Sequence, residues 1–253
     1  MKKKLVIKIG SSTLTQETDK ISRGKIEDIA RQIESLREEY DIVLVSSGAV
    51  AAANQIINKN RWAKDVKSKQ AKSAIGQPIL LQMYNEVFSD YELRPAQCLL
   101  TYNDFERETS RENMSNTINE LLRHGYIPVV NENDTISVKE IVVGDNDKLS
   151  AYVASLISAD ILILVSDING IYTKNPHIHN DAVLIPEVSD LKEVEQFIEE
   201  RESKLGTGGM TTKLEAAQIC FDNNVGMYIV NGGANNFILD LLSGKNESTS
   251  FRK

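Results

Sequence analysis

Two lysines stand where a lysine is costly. Lys8 interrupts the apolar run Leu5-Val6-Ile7-Lys8-Ile9, and Lys213 closes the segment Gly206-Thr207-Gly208-Gly209-Met210-Thr211-Thr212-Lys213. A helical stripe, Met210, Leu214, Ala217 and Phe221, begins inside that segment and puts Lys213 in roughly its first turn. A buried ammonium needs a counter-charge or a ligand, and a cation at a helix N-terminus opposes the helix dipole unless an anion sits there too. The glycines let backbone N–H groups close on such an anion. Leu214 rather than Ser or Thr follows the lysine, so this is not a Walker A loop, and G-x-G-x-x-G fails after Gly208. The chemistry indicated is the grip of an anion from two sides. The bland alternatives are an edge strand whose lysine reaches water and a surface glycine loop.

The ends of the apolar runs carry more such residues. They read Lys8-Ile9-Gly10-Ser11-Ser12, Ser46-Ser47-Gly48, Asn131-Glu132-Asn133-Asp134 and Ser166-Asp167-Ile168-Asn169-Gly170. Ligands of open α/β sheets bind beyond the carboxyl ends of the strands. Turns favour these residues anyway, which explains one such segment more easily than all of them, so we read one shared site. Val143-Gly144-Asp145-Asn146-Asp147-Lys148 sets two carboxylates and an amide at a helix start. Helix capping is the commoner reason for that pattern, and a calcium loop fails because Ser150 and Leu156 fall at its sixth and twelfth positions. Its functional reading is a cluster that takes a substrate ammonium and orients the lysines.

Positioning these residues requires a sheet. Strands are expected at 5–9, 42–45, 97–100, 126–130, 161–165 and 227–230, alternating with helices at 67–88, 110–123, from Asp147 and at 209–222. Ile26, Ile29, Ile33 and Leu36 mark a further helix with Ser22 as its N-cap, and 136–143 reads as a hairpin. Alternation of this kind predicts a three-layer α/β/α sandwich around a mostly parallel sheet. We expect one continuous fold with two lobes, 1–158 and 159–253, an exposed acidic helix within 187–202, and a frayed end over 244–253.

Composition sets limits. The 253 residues carry 29 Lys+Arg against 36 Asp+Glu, a net charge of −7, which disfavours nucleic acid or an anionic membrane as partner. No apolar run approaches transmembrane length, and Lys8 breaks any signal-peptide core after Met1-Lys2-Lys3-Lys4, so a cytoplasmic protein is expected. Cys98 and Cys220 read as buried free thiols, and His177 and His179 as a surface loop rather than metal ligands. The basic stretch Lys59, Arg61, Lys64, Lys67, Lys69 and Lys72 around Trp62 reads as a solvated face or a subunit contact. No G-x-S-x-G or Ser–His–Asp arrangement supports hydrolysis.

Taken in order, the lysine strand, Ser46-Ser47-Gly48-Ala49, Asn131-Glu132-Asn133-Asp134, Val143 to Asp147 and Gly206 to Lys213 resemble the amino-acid kinase family across nearly the whole chain. Ser46-Ser47-Gly48 replaces the glycine run of the acetylglutamate and uridylate members, so the likeness is to the branch whose substrate is glutamate. That resemblance implies transfer of a phosphoryl group from ATP to the γ-carboxylate of L-glutamate, the first step of proline biosynthesis. It implies that Lys8, Lys213 and Asp147 are catalytic, and that Ser47, Gly48, Asp134 and Asn146 bind the amino acid in the first lobe. Lys8 and Gly10 of the first lobe, with Ser166, Asp167 and the loop Thr207, Gly208, Gly209, Met210, Thr211, Thr212 and Lys213 of the second, would bind the nucleotide. Mg2+ would ride on the ATP phosphates, with no protein metal site. The family further implies a homodimer or tetramer and feedback inhibition by proline; we look for the subunit contacts in the stretch 59–77. A short form without the C-terminal RNA-modifying-enzyme-like (PUA-like) domain of many members is expected.

Overall fold

The computed structural model describes residues 2–16, 18, 20–137, 146–176, 178–195, 197 and 209–252. Its strands are β1 (Lys3–Ile9), β2 (Tyr40–Ser46), β3 (Pro95–Leu100), β4 (Ile127–Glu132), β5 (Ile161–Ser166), β6 (Ile171–Tyr172), β7 (Leu184–Ile185), β8 (Glu187–Val188), β9 (Gly226–Asn231) and β10 (Ser248–Phe251). Eight of them form one sheet in the order β3-β4-β2-β1-β5-β9-β10-β8, and β6 and β7 pair separately. The large sheet is parallel except where β10 runs antiparallel to β9. A strand covered on both faces needs apolar residues without alternation. Leu5, Val6, Ile7 and Ile9 of β1 are accordingly all fully buried. β1 lies between β2 and β5, so Lys8 is on a central strand and the edge-strand alternative is excluded.

The helices are α1 (Ser11–Thr15), α2 (Arg23–Leu36), α3 (Ala49–Asn54), α4 (Val66–Ser89), α5 (Tyr102–Glu106), α6 (Glu108–Arg123), α7 (Asp147–Leu156), α8 (Gly209–Asp222) and α9 (Phe237–Leu242). They cover the sheet in two layers, each with its own core. One core joins Val6, Val45 and Leu164 to residues of α6, α7 and α8. The other joins Leu5, Ile7 and Ile9 to α2, α4 and α9. Side chains alternate along a strand, so Lys8 shares the face of Val6 and points toward α7 and α8. The sandwich is as expected from sequence, and Ser22 caps α2 by accepting from the Lys25 N–H at 3.2 Å.

Several local expectations change. The end of the chain is not frayed: β10 pairs with β9, and Phe251 is fully buried. The stretch from Glu187 opens as strand β8 rather than helix; residues 192–195 are helical, with Lys192, Glu193 and Glu195 exposed but Leu191 and Val194 buried, so the expected helix begins later and is only partly exposed. Residues 138–143 of the expected hairpin lie outside the described residues, as do 198–202 of the acidic run. No helix among the described residues is long and apolar enough to cross a membrane.

Candidate active site

Strand β1 delivers Lys8 to the carboxyl edge of the sheet, where it meets the first residue of α7. The Lys8 Nζ lies 2.7 Å from Asp147 Oδ1, and the Lys213 Nζ lies 2.9 Å from Asp147 Oδ2. Thr212 Oγ1 donates to Asp147 Oδ2 at 3.3 Å, and Lys213 Nζ also donates to the Gly209 carbonyl at 3.2 Å. Asp147 is fully buried. A carboxylate there is tolerable only because two ammoniums face it, and the three charges sum to one positive charge at the sheet edge.

Asn146 precedes this carboxylate as the N-cap residue of α7, yet its side chain makes no capping bond. Its amide instead donates to Asn131 Oδ1 at 2.8 Å, Ser47 Oγ at 3.1 Å and the Ser46 carbonyl at 3.3 Å. Simple capping therefore does not explain this motif; Asn146 ties the ends of β2 and β4 to α7. Beneath it, Ser46 Oγ donates to the Ser47 carbonyl at 2.9 Å and lies 2.9 Å from the Tyr84 hydroxyl. Burial pushes the Tyr84 phenol up to about 12, so it stays protonated, with the Ser46 bond opposing the shift.

Ser47, Asn131 and Asn146 line a cavity of about 280 Å³ with Ser11, Gly48, Glu132 and Asp134. Gly48 has φ +109, and a Cβ there would stand 3.1 Å from Leu14 Cδ1, so the turn into α3 needs glycine. Asp134 accepts from Ser73 Oγ at 2.8 Å, and Gln77 Nε2 donates to the Glu132 carbonyl at 3.4 Å. Lys69 also lines the cavity. Lys69, Ser73 and Gln77 recur every fourth residue along α4, a polar stripe that sequence reading took for a solvated or subunit face. The four-residue spacing of these polar side chains was the available signal.

A second cavity, of about 370 Å³, is lined by Ser12, Thr13, Gln16, Ser166, Asp167, Asn231, Gly232 and Gly233. Ser166 Oγ donates to Asp167 Oδ1 at 3.1 Å. The consecutive residues Ser11 and Ser12 thus line different cavities. A Cβ on Gly10, just before them, would stand 3.7 Å from both the Lys8 Nζ and the Ser12 Oγ. Gly209, Met210, Thr211, Thr212 and Lys213 open α8, and Met210 packs against the core of its layer. Thr207, Gly208 and Asp145 lie outside the described residues. No cluster of His, Cys, Asp or Glu suited to a metal occurs among the described residues. Asp147 already faces two cations, so this carboxylate suits a metal carried in on a substrate better than one it would ligate itself.

The sequence pattern of the amino acid kinase family matches residues 3–231. A glutamate 5-kinase of Clostridium acetobutylicum is 45% identical over 98% of this chain and 94% of its own length. One of Alkaliphilus metalliredigens is 42% identical over 99% and 96%, and one of Caldanaerobacter subterraneus 41% identical over 98% of this chain but 67% of its own. Among solved structures, UMP kinase from Ureaplasma parvum superposes over all of both chains with a TM-score of 0.69 at 19% identity. Isopentenyl phosphate kinase gives 0.63 at 18% identity over 98% of this chain and 99% of the other. At those identities the likeness concerns the fold.

Proposed function

This chain belongs to the amino acid kinase family, and from that premise we propose that it transfers the γ-phosphoryl group of ATP to the γ-carboxylate of L-glutamate, the entry to proline biosynthesis. The observation that carries the reading is the buried Lys8–Asp147–Lys213 triad at the end of β1, the strand whose following residues Ser11 and Ser12 line two different cavities. Glutamate takes the cavity of Ser47, Gly48, Asp134 and Asn146 in the lobe 1–158, its ammonium toward Asp134. ATP takes the cavity of Ser166 and Asp167 in the lobe 159–253, with the 207–213 segment over its phosphates.

A carboxylate is already ionised at neutral pH, so the reaction needs no general base. One carboxylate oxygen bonds to the γ-phosphorus as the bond to the β-phosphate oxygen breaks; glutamyl 5-phosphate and ADP form, and no proton moves. The work left to the protein is to bring two anions together and to stabilise the charge that moves between them. Lys8 does this at the transferring group and Lys213 at the leaving phosphates. Asp147 holds both ammoniums apart and oriented. Mg2+ held by the ATP phosphates supplies further charge neutralisation.

Proline shares the α-carboxylate and amino nitrogen of glutamate and is expected to compete for the same cavity. Residues 59–77, where Val66 is exposed, are where copies of this chain would meet, and the cytoplasm is the compartment. Purified protein with Mg-ATP, glutamate and hydroxylamine should yield glutamyl hydroxamate in step with ADP. Aspartate, acetylglutamate, carbamate and UMP should release no ADP, and ADP release with one of these instead would reject glutamate as the substrate.

A further inference from the structure

Helix α2 turns three polar side chains inward, and all of them end on one loop. Lys25, Asp28 and Gln32 are 1%, 7% and 0% exposed. Lys25 Nζ donates to the carbonyls of Gly232 at 2.9 Å, Ala234 at 3.0 Å and Gly233 at 3.5 Å, and it lies 5.4 Å over the Phe237 ring. Asp28 Oδ2 is 3.8 Å from that ammonium, while Asp28 Oδ1 accepts the Asn236 N–H at 3.2 Å. Gln32 Nε2 donates to Asp28 Oδ2 at 3.0 Å, and Gln32 Oε1 accepts the N–H groups of Ile238 at 2.8 Å and Leu239 at 3.3 Å. Carbonyls at the start of the 232–239 segment are thus held by a cation, and amides at its end by a carboxylate and a carboxamide.

That segment walls the cavity of Ser166 and Asp167. Gly232 N donates to the Ser166 carbonyl at 2.9 Å, and Asn231 Nδ2 donates to the Asp167 carbonyl at 3.2 Å. A Cβ on Gly232 would fall 2.3 Å from Val165 Cγ1 and 2.8 Å from Thr13 Cγ2, so the wall has no room to settle inward. An apolar side chain of lysine's length would fill the space under the loop without the desolvation of a charge. Only a cation gathers three carbonyls onto one point. Burial presses the Lys25 pKa below its usual value, with Asp28 opposing.

We propose that Lys25, backed by Asp28 and Gln32, is a positioning residue for the nucleotide: it fixes the backbone of Gly232–Ala234 and so sets nucleotide affinity without touching the nucleotide. The proposal rests on reading that cavity as the ATP site. Lys25→Met should weaken Mg-ADP binding by calorimetry, and raise the KM for ATP, about tenfold, while the KM for glutamate stays within about twofold. Lys25→Arg, which keeps the charge, should recover most of that affinity. An equal rise in both KM values, or a lower Tm with nucleotide affinity unchanged, overturns the proposal. Should Lys25→Met not fold, hydrogen exchange on the wild-type chain decides: Mg-ADP should protect the amides of 232–239 and glutamate should not, and no protection by Mg-ADP overturns it. Mg-ADP binding without glutamyl hydroxamate formation would sink the substrate assignment and leave the positioning role standing.

Discussion

Asp147 is shared by two ammoniums at 2.7 and 2.9 Å, so replacing either lysine is felt by the other. In Lys8→Ala the buried carboxylate keeps Lys213 as its partner but loses half its counter-charge. Loss of one charge-stabilising donor typically costs about 10²–10³ in kcat. We expect that loss in Lys8→Ala and in Lys213→Ala, with smaller changes in either KM, measured by ADP release under saturating substrates. Near-wild-type turnover in either variant would refute the assigned roles. Lys8 was legible because a charge inside a five-residue apolar run has few explanations. Lys25 was not: on an amphipathic helix a lysine beside Ile26 and Ile29 looks like the solvent border, and its acceptors lie about two hundred residues further along the chain. Lys69 was hidden in the same way, inside a stretch whose other lysines gave a sufficient surface explanation.

Helix α4 packs on α3 so closely that a Cβ on Gly76 would stand 1.7 Å from the Ala49 carbonyl oxygen. In an exposed helix interior Gly→Ala would gain roughly 1 kcal/mol. Here the contact is with backbone, which has no rotamer to yield, and overpacking of this kind costs about 1–3 kcal/mol. Gly76→Ala should therefore lower the Tm and, because Ala49 lines the proposed glutamate cavity, raise the KM for glutamate more than that for ATP. A gain in stability would show that α3 and α4 can separate freely. The last strand makes a second test. Phe251 is fully buried in β10, and Phe251→Ala should cost about 3–5 kcal/mol by urea denaturation, where a frayed end would cost nothing. β10 escaped the sequence because Ser248-Thr249-Ser250-Phe251 is polar and short. Its polar groups are satisfied only in three dimensions, with Thr249 Oγ1 accepting from the Ile171 N–H at 2.8 Å and donating to the Ile185 carbonyl at 2.6 Å. The long strands were legible for the opposite reason, since burial on both faces writes itself as an unbroken β-branched run.

The two cores are divided by the faces of the sheet, not along the chain. One core unites Val6, Val45 and Val130 with Leu164, Met227 and Phe251, and so spans both the proposed glutamate half and the proposed nucleotide half. The sheet runs unbroken from β3 to β8 through β1, and α2 reaches across to hold the loop after β9. Division of function between lobes then need not mean division of stability. Trp62 is the sole tryptophan and lies in the first half, under the Lys72 ammonium at 5.8 Å, far in sequence from Ser166 and Gly232. Its fluorescence should lose the native signal in the same urea transition as the far-ultraviolet circular dichroism. A ligand at one hundred times its Kd stabilises a two-state protein by about 2.7 kcal/mol. Saturating Mg-ADP should therefore shift the Trp62 midpoint as far as the dichroism midpoint, although the tryptophan is far along the chain from the residues of the proposed nucleotide cavity. Separate midpoints, or a nucleotide shift absent at Trp62, would mean that the lobes unfold independently and that the continuous sheet transmits less than its hydrogen bonding implies.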